Sequence, residues 1–471
     1  MWQRIKNIYH LGNAILANVW FGFPSRKLTV IGVTGTDGKT TTTSLIYHIL
    51  HFAGYNASMI SSVGAIIGGK EYDVGFHVTT PSPWALQGFI KDALGSPRPL
   101  NDSSRPSGNT RIVNKNSSSS PAVWQSNHDY KETVKSSFRG ETRPSLSTPR
   151  FLVLETTSHA IDQNRIWGIP FDIGVLTNVT HEHLDYHKTY ENYVKTKVKL
   201  LQMARVAVVN RDDESFKLIS NFSPRGEAGK FLISKLVTFG MTKKADVNLE
   251  KFPFKTNLIG EFNKYNVLAA ISACRDLGIT DQIIREAILT FKPPIGREEI
   301  VYKNPFTIMV DFAHTPNAFE EILSSIKPSI KGRLIHAFGA AGLRDASKRA
   351  LMGKASAKYS DIIILTAEDP RTESVEKIMK EIESGITNSK FEIRNPKQIQ
   401  ITEIQNKKKY VLEIPDRQEA ITAAIGMAKK GDFVLITGKS HEKSMNYGKG
   451  EEPWDEFGAV SQALSVRRDD K

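Results

Sequence analysis

Leu28-Thr29-Val30-Ile31-Gly32-Val33-Thr34-Gly35-Thr36-Asp37-Gly38-Lys39-Thr40-Thr41 is the stretch whose reading decides the fold. Leu28–Thr34 is a short apolar, β-branched run bounded by glycine, and it reads as a buried strand. Gly35–Gly38 reads as a loop, and Thr40–Phe52 as a helix stopped near Gly54. A strand, a glycine-rich loop and a helix in that order can hold a phosphate. Glycines let backbone N–H groups close around phosphate oxygens, and the helix N-terminus adds the positive end of its dipole. Lys39 is placed to neutralise β/γ-phosphate charge, and Thr40 to ligate Mg²⁺. The spacing departs from the usual P-loop, because Val33 stands where that pattern has glycine. The plainer alternative is a glycine-rich turn that caps a helix. Lys-Thr-Thr at the helix start, with a strand before it, favours phosphate.

Outward from this unit the alternation continues. Strands are expected at Phe151–Leu154, Ile173–Thr177 and Val206–Asn210, and helices at Tyr190–Arg205 and Asn263–Leu277. A second series follows: strand Thr307–Asp311, helix Asn317–Ile326, strand Leu334–Phe338, helix Ser347–Tyr359, strand Ile362–Leu365, helix Arg417–Lys429 and strand Phe433–Thr437. Alternating strands and helices imply parallel sheets covered on both faces. The expected fold is α/β, a P-loop-type parallel-sheet ATPase domain followed by a Rossmann-like α/β domain. Lys-Pro-Pro-Ile-Gly at 292–296 interrupts the pattern, so the expected domains are 28–295 and 296–471 behind a short leader, 1–27. The leader's apolar run Ala14–Phe23 is too short to span a bilayer and reads as an amphipathic helix packed on the next domain, with a membrane-surface contact as the alternative. Residues 96–149, rich in Ser, Asn, Arg and Pro, read as a disordered insertion, with a docking segment as the sharper alternative.

With 471 residues, 40% hydrophobic and 24% charged, the chain has an ordinary soluble balance for two or three domains. The lone Cys274 makes no internal disulfide, and a reducing cytoplasm is the natural location. The formal charge of +13 suits anionic small molecules. Nucleic acid is not expected, because no basic face carries interleaved aromatics. Stable membrane insertion is not expected either, and the oligomeric state is open.

Polar residues cluster where the strands end. Glu155 follows a strand in Leu154-Glu155-Thr156-Thr157-Ser158-His159, at the end where α/β sheets place functional groups. Thr177-Asn178-Val179-Thr180-His181-Glu182-His183-Leu184-Asp185-Tyr186-His187 follows the next strand, with a polar density well above that of a routine connection. Tyr193 and Lys197 are four residues apart on one helix face.

These segments resemble the Mur ligase family, and within it the type that adds the third residue of the peptidoglycan stem peptide. Thr34–Thr41 looks like that family's nucleotide loop, with Asp37 in place of the usual Asn. The likeness runs from about residue 28 to about residue 445, excluding the insertion. It implies ATP and Mg²⁺ as cofactors, with Gly35, Thr36, Asp37, Gly38, Lys39, Thr40 and Thr41 around the phosphates. It implies Mg²⁺ ligation by Thr40, Glu155 and His183, and by Lys197 if carbamylated. The last of these lies ten residues after His187, in register with the family's modified lysine. Burial near other cations would depress its pKa and favour reaction of the neutral amine with CO₂.

Thr79 and Thr80, followed by Pro81, resemble the contact with a nucleotide-sugar peptide, and Thr157, Gln163 and Arg165 match further acceptor contacts. Asn263 and Asn266 resemble the nucleotide-side motif. Gly296-Arg297-Glu298-Glu299 resembles the family hinge, with Glu298 replacing Met, and Asp311–Asn317 resembles Asp-Tyr-Ala-His-Thr-Pro-Asp. Asp311 and Asn317 are implied at the ribose and Arg297 at a phosphate. Arg344, Glu368, Asp369, Pro370, Arg371, Gly438 and Glu442 resemble the amino-acid pocket. Glu-Asp-Pro-Arg stands where the diaminopimelate type has Asp-Asn-Pro-Arg. Arg371 keeps the fork suited to a carboxylate, Glu442 suits an ammonium, and Asp369 is expected to offset part of the charge of Arg371.

The implied reaction adds an amino acid, with meso-diaminopimelate favoured over lysine, to UDP-MurNAc-L-Ala-D-Glu through an acyl phosphate. The family's domain for the uridine nucleotide is expected to be missing or truncated, since about thirty residues precede the loop. Two rivals remain open. One is another ligase on the scaffold, of folylpolyglutamate or cyanophycin type, against which Arg371 and Glu442 argue. The other is a non-catalytic nucleotide-binding regulator, against which Lys39, Glu155, His183 and Lys197 together argue.

Overall fold

The chain is described by a computed structural model, which covers residues 2–73, 79–95, 149–220, 235–386, 391–394 and 409–469. Of the expected insertion 96–149, all but Pro149 lies outside the described residues.

The apolar run after Leu28 forms strand β1 (Thr29–Thr34), the centre of an eight-stranded sheet. The others are β2 (Asn56–Ser61), β3 (Gly64–Ile67), β4 (Lys70–Tyr72), β5 (Arg150–Glu155), β6 (Phe171–Leu176), β7 (Ala204–Asn210) and β8 (Lys235–Phe239). Their order is β4-β3-β2-β5-β1-β6-β7-β8, and from β2 to β8 all pairs are parallel. Alternate residues of β1 enter different cores. Ile31 and Val33 pack with Leu45, Ile49 and Val267 on one face, while Val30 packs with Leu152, Leu154 and Phe89 on the other. A strand covered on both sides needs an uninterrupted apolar sequence, which is why 30–33 carries no polar side chain.

Seven strands form the second sheet: β9 (Glu299–Lys303), β10 (Thr307–Asp311), β11 (Leu334–Phe338), β12 (Ile362–Leu365), β13 (Phe391–Arg394), β14 (Lys409–Glu413) and β15 (Phe433–Thr437). Their order is β13-β14-β12-β11-β15-β10-β9, with only β9 antiparallel. Helices cover both faces, with Ile308, Ile364 and Ile436 in one core and Met309, Ile363 and Leu435 in the other.

Expected and observed bounds differ in places. The helix expected to reach Arg205 ends at Gln202, because β7 begins at Ala204 and its apolar alternation takes over the chain. The apolar run at the N-terminus belongs to a longer helix, Trp2–Phe21, packed on helix Pro83–Ala93. None of the described helices is long and apolar enough to cross a membrane.

Register brings the site together. Val33 of β1 lies opposite Glu155 of β5, and Thr34 opposite Leu176 of β6. The phosphate-type loop, Glu155 and the segment 177–187 therefore leave the same sheet edge side by side. The connections after β1 and after β6 diverge there, opening the crevice in which α/β folds bind ligands.

Candidate active site

The loop after β1 is shaped by close approach. At Gly35 a Cβ would lie 1.8 Å from Thr177 Oγ1, and at Gly38 (φ +78°) it would lie 2.1 Å from Asn266 Oδ1. Neither position accepts a side chain, so the backbone can sit against its neighbours. Gly38 caps helix Lys39–Phe52, and Lys39 Nζ folds back to donate to Thr36 O at 2.6 Å. The lysine is thus held over the loop it would serve.

Glu155 is buried at the end of β5. Its carboxylate accepts from Thr40 Oγ1 at 3.2 Å and from Ser62 N at 3.0 Å. Arg297 reaches across from the second domain, donating to Thr40 Oγ1 at 3.0 Å with its guanidinium 4.3 Å from the Phe312 ring centre. Thr40, Glu155 and Arg297 thus meet at one point beside the loop.

Lys197 is 1% exposed; its Nζ donates to Gly35 O at 2.5 Å and stands 4.4 Å from the Tyr193 ring centre. Burial, and then the neighbouring Lys39, holds its amine well below the usual lysine range. His183 packs edge-on to His159 at 4.9 Å and to Tyr193 at 6.2 Å. Burial first, then His159, Lys348 and Lys197, keeps its imidazole well below the ordinary histidine range, so it carries a free lone pair at neutral pH. Among the described residues no three His, Cys, Asp or Glu side chains gather closely enough to hold a metal alone. The donor set that does converge, the Thr40 hydroxyl and the Glu155 carboxylate, consists of hard oxygens. It suits a Mg²⁺ ion that completes its shell with phosphate oxygens and water.

Three of the acceptor candidates meet directly. Thr80 Oγ1 donates to Glu155 O at 3.2 Å and accepts from Thr157 N at 3.2 Å, and Arg165 Nη1 donates to Thr80 O at 3.4 Å. Thr79 and Gln163 line the same cleft, a cavity of about 690 Å³ that also takes in Thr36–Thr41, Glu155, His183, Asn266, Arg297, Asp311, Asn317 and Arg344. Asn263 stands just behind it, donating to Ile259 O at 2.7 Å and also to Glu298 Oε1.

The second domain closes on the loop through Asp37. Thr315 Oγ1 donates to its carboxylate at 3.2 Å and Asn317 Nδ2 at 3.1 Å, so Asn317 is engaged by the phosphate-type loop as well as facing the cleft. Asp311 accepts from the N–H groups of Glu298 and Ala313, each at 2.7 Å. Burial raises its carboxyl pKa, and Arg297 opposes that.

The amino-acid candidates lie along the ends of β11, β12 and β15. Gly438 has no room for a side chain, since a Cβ would lie 2.3 Å from Glu368 Oε2. Burial pushes Glu368 up to about 8. Arg371, in the left-handed region (φ +55°), donates from Nη1 to Gly342 O at 2.7 Å, with Arg344 lowering its pKa after burial. Asp369, also in the left-handed region (φ +45°), directs its carboxylate to Lys439 Nζ at 3.0 Å. Lys439 also donates to Glu442 at 2.7 Å. Asp369 thus pairs with a buried lysine and accepts from Asn446 N at 3.0 Å, its charge still acts on Arg371 as expected, and Glu442 already holds an ammonium from its own chain.

Several residues at the cleft carried no individual signal in the sequence. His159 lines the cavity, and burial and Arg344 lower its pKa to about 4. Glu182 accepts from Lys348 Nζ at 3.1 Å across the two domains, and Lys348 also donates to His314 O at 2.8 Å. Glu182 and Lys348 both fall within quoted motifs, yet nothing in a single sequence pairs positions 166 residues apart.

A nucleotide-type loop, a buried carboxylate and lysine beside it, and a second α/β domain closing over both define a two-domain ligase site. The family profile of the Mur ligase middle domain matches residues 33–96 and 141–274, and that of the "Mur ligase, glutamate ligase domain" matches 296–440. The chain belongs to the Mur ligase family of ATP-dependent ligases. It is 34% identical over 458 residues to the UDP-N-acetylmuramoyl-L-alanyl-D-glutamate–2,6-diaminopimelate ligase of Aquifex aeolicus (strain VF5), covering 95% of this chain and 80% of that protein. Among solved structures, a UDP-N-acetylmuramoyl-L-alanyl-D-glutamate–2,6-diaminopimelate ligase superposes with TM-score 0.51 at 25% identity, over 94% of this chain and 79% of the other. Mycobacterium tuberculosis folylpolyglutamate synthase, complexed with ADP and AMPPCP, shares the fold with TM-score 0.58 at 14% identity, over 92% and 93%.

Proposed function

We propose that this chain forms the amide bond between the D-glutamate carboxyl of UDP-MurNAc-L-Ala-D-Glu and an amine of meso-diaminopimelate, at the expense of ATP. The observation that carries the reading is the single cleft that joins Lys39 and Glu155, the acceptor candidates Thr80, Thr157 and Arg165, and Arg297 and Arg344 from the second domain. The named relatives supply the substrates.

ATP is the first substrate. The N–H groups at the start of helix Lys39–Phe52 and the Lys39 ammonium cradle its β- and γ-phosphates, and Asp311 and Asn317 serve its ribose. Thr40 and Glu155 would hold a Mg²⁺ ion that neutralises phosphate charge, and His183 and, once carbamylated, Lys197 would serve as further metal ligands when the substrates are bound. Arg165, Thr80 and Thr157 hold the acceptor so that its carboxylate meets the γ-phosphate in line. Phosphoryl transfer breaks the β–γ P–O bond, gives an acyl phosphate and leaves ADP. The incoming neutral amine attacks its carbonyl carbon, the tetrahedral adduct loses a proton from nitrogen and collapses, and inorganic phosphate leaves. Arg297 and Arg344 face the developing negative charge. Closure through Asp37, Thr315 and Asn317 keeps water from the acyl phosphate.

Phosphate release, measured with UDP-MurNAc-L-Ala-D-Glu and a panel of amines, tests this reading. Release should require both acceptor and amine, with diaminopimelate preferred. Release with a pteroyl-glutamate acceptor instead would place the chain with the folylpolyglutamate ligases. Nucleotide binding with no release for any pair would leave a non-catalytic binder.

A further inference from the structure

Helix Trp2–Phe21 is mounted with its polar side inward. Gln3 Nε2 donates to the Tyr186 hydroxyl at 2.6 Å, and Asn7 Nδ2 to Asp162 Oδ2 at 3.0 Å. Asn18, wholly buried, donates to Trp167 O at 2.8 Å, and Trp84 Nε1 donates to Asn13 Oδ1 at 3.3 Å. The opposite face is apolar and open to solvent. Ile5, Ile8, Tyr9, Leu16, Val19 and Trp20 recur at helical spacing, and their exposures run from 53% to 69%. Six large apolar side chains so exposed present on the order of 800 Å², whereas the largest patch on a typical monomer is about 300–600 Å². The hydrogen bonds fix the helix in this orientation, since rotating it inward would strand Asn18 and Gln3 from their partners.

The charge around the face selects its occupant. Residues 1–27 contain Arg4, Lys6, Arg26 and Lys27 and no Asp or Glu. Arg26 and Lys27 are exposed just past the helix, with the Arg26 guanidinium 4.3 Å from the Phe23 ring centre. Asp162, an acid on the inner side, is taken up by Asn7, Tyr186 and Lys199. A second copy laid on this face would bring basic ends against basic ends in either direction. An anionic, apolar surface meets no such conflict. Trp20 and Tyr9 on the face are the amphipathic rings that favour a membrane–water boundary, and no described helix is apolar enough to cross a bilayer. We propose that helix Trp2–Phe21 seats the enzyme on an anionic lipid surface, with its apolar face in the headgroup–acyl boundary and Lys6, Arg26 and Lys27 at the phosphates.

The test is co-sedimentation of the full chain with vesicles of phosphatidylcholine alone and of phosphatidylcholine mixed with phosphatidylglycerol, over a salt series. The expected result is binding to the mixed vesicles only, weakened by salt, with tryptophan fluorescence quenched by brominated acyl chains. I8D/L16D should lower binding by at least tenfold while the melting temperature and ATP turnover stay unchanged, because neither side chain is part of a core. R26E/K27E should lower it by at least about thirtyfold through the electrostatic contribution alone. If the variants misfold, the wild-type lipid selectivity, salt dependence and quenching still decide. A wild type that ignores both vesicle types overturns the proposal. So does one that light scattering shows to be a dimer which I8D/L16D makes monomeric, for then a second copy covers the face.

Discussion

Replacing Lys348 by methionine should cost the enzyme its closed form. Lys348 Nζ lies 3.1 Å from Glu182 Oε1, and the two side chains are only 6% and 5% exposed. At that separation, with an effective dielectric constant of about 20, the gross attraction is ~5 kcal/mol. In the closed form both charges have already left water, so the net worth of the pair is smaller than its gross attraction. Removing one partner is another matter, because it leaves a buried carboxylate uncompensated, at about 3–5 kcal/mol. The second oxygen of Glu182 already lacks a hydrogen-bond partner, and His183 Nδ1, 3.9 Å from the first, is held neutral by burial, so little nearby absorbs the loss. In an opened form both groups would be hydrated, and the penalty therefore falls on closure. A penalty of about 3 kcal/mol or more means at least a hundredfold fewer closed molecules. The assay is amine-dependent phosphate release, beside small-angle scattering with and without nucleotide. K348M should lose at least a hundredfold in kcat/KM and scatter as a more open particle. E182Q in the K348M background should recover part of the loss, with a coupling of about 2 kcal/mol or more in the double-mutant cycle. Wild-type kcat/KM and compactness in K348M, or strictly additive effects, would refute the reasoning.

K39A should abolish ATP turnover with an unchanged circular dichroism spectrum and melting temperature, because its Nζ serves the loop rather than a core; retained turnover would remove the phosphate-loop assignment. R371A should raise the KM for diaminopimelate tenfold to a hundredfold and leave that for lysine nearly unaltered, through loss of a charge-assisted pair of about 1.5–3 kcal/mol; equal losses for both amines would show that Arg371 supports the fold instead. Growth and assay with ¹³C-bicarbonate should give a carbamate resonance that vanishes in K197A, since the buried amine of Lys197 is held well below the usual lysine range; a wild type without that resonance would leave Lys197 unmodified. Thermal stability should fall as pH rises from about 6.5 to about 8: burial pushes Glu298 and Glu368 each up to about 8 from 4.5, so across that window the folded state keeps protons the unfolded chain has released, whereas below about 6.5 the buried histidines, charged only in the unfolded chain, act in the opposite direction. E298Q should remove part of that slope, with Glu368, pushed equally high by burial, and Asp311, raised in the same direction, retaining the rest; an unchanged slope would show that Glu298 is ionised in the fold.

The strands and helices that build the two sheets were legible from the sequence because their causes are local. Thr307–Asp311, Leu334–Phe338, Ile362–Leu365 and Phe433–Thr437 are short, largely apolar, doubly covered strands, and the observed bounds coincide with those read from the apolar runs. The loop at Gly35–Gly38 was legible because glycine at a strand-to-helix turn has few other uses. Helix Trp2–Phe21 was half legible: its apolar run showed, but its facing did not. A helical pattern reveals that two faces differ, and only the partners decide which one turns inward. Here Tyr186, Asp162 and the Trp167 carbonyl capture the polar one.

The pairing of charges was decided by the tertiary structure alone. Asp369 could be read as a neighbour of Arg371 two residues along the chain, yet its carboxylate reaches Lys439, 70 residues away. Glu182 meets Lys348 over 166 residues, and Asp37 meets Thr315 and Asn317 over 278 and 280. A strand or a helix follows from periodicity and backbone sterics acting over a few residues. An ion pair forms wherever the fold brings opposite charges within about 4 Å. The sequence by itself determined the elements, the phosphate-type loop and the kinds of side chain gathered at strand ends. Which of those side chains touch was decided by strand order and by how one domain closes on the other, because contact depends on distance in space and not on separation along the chain.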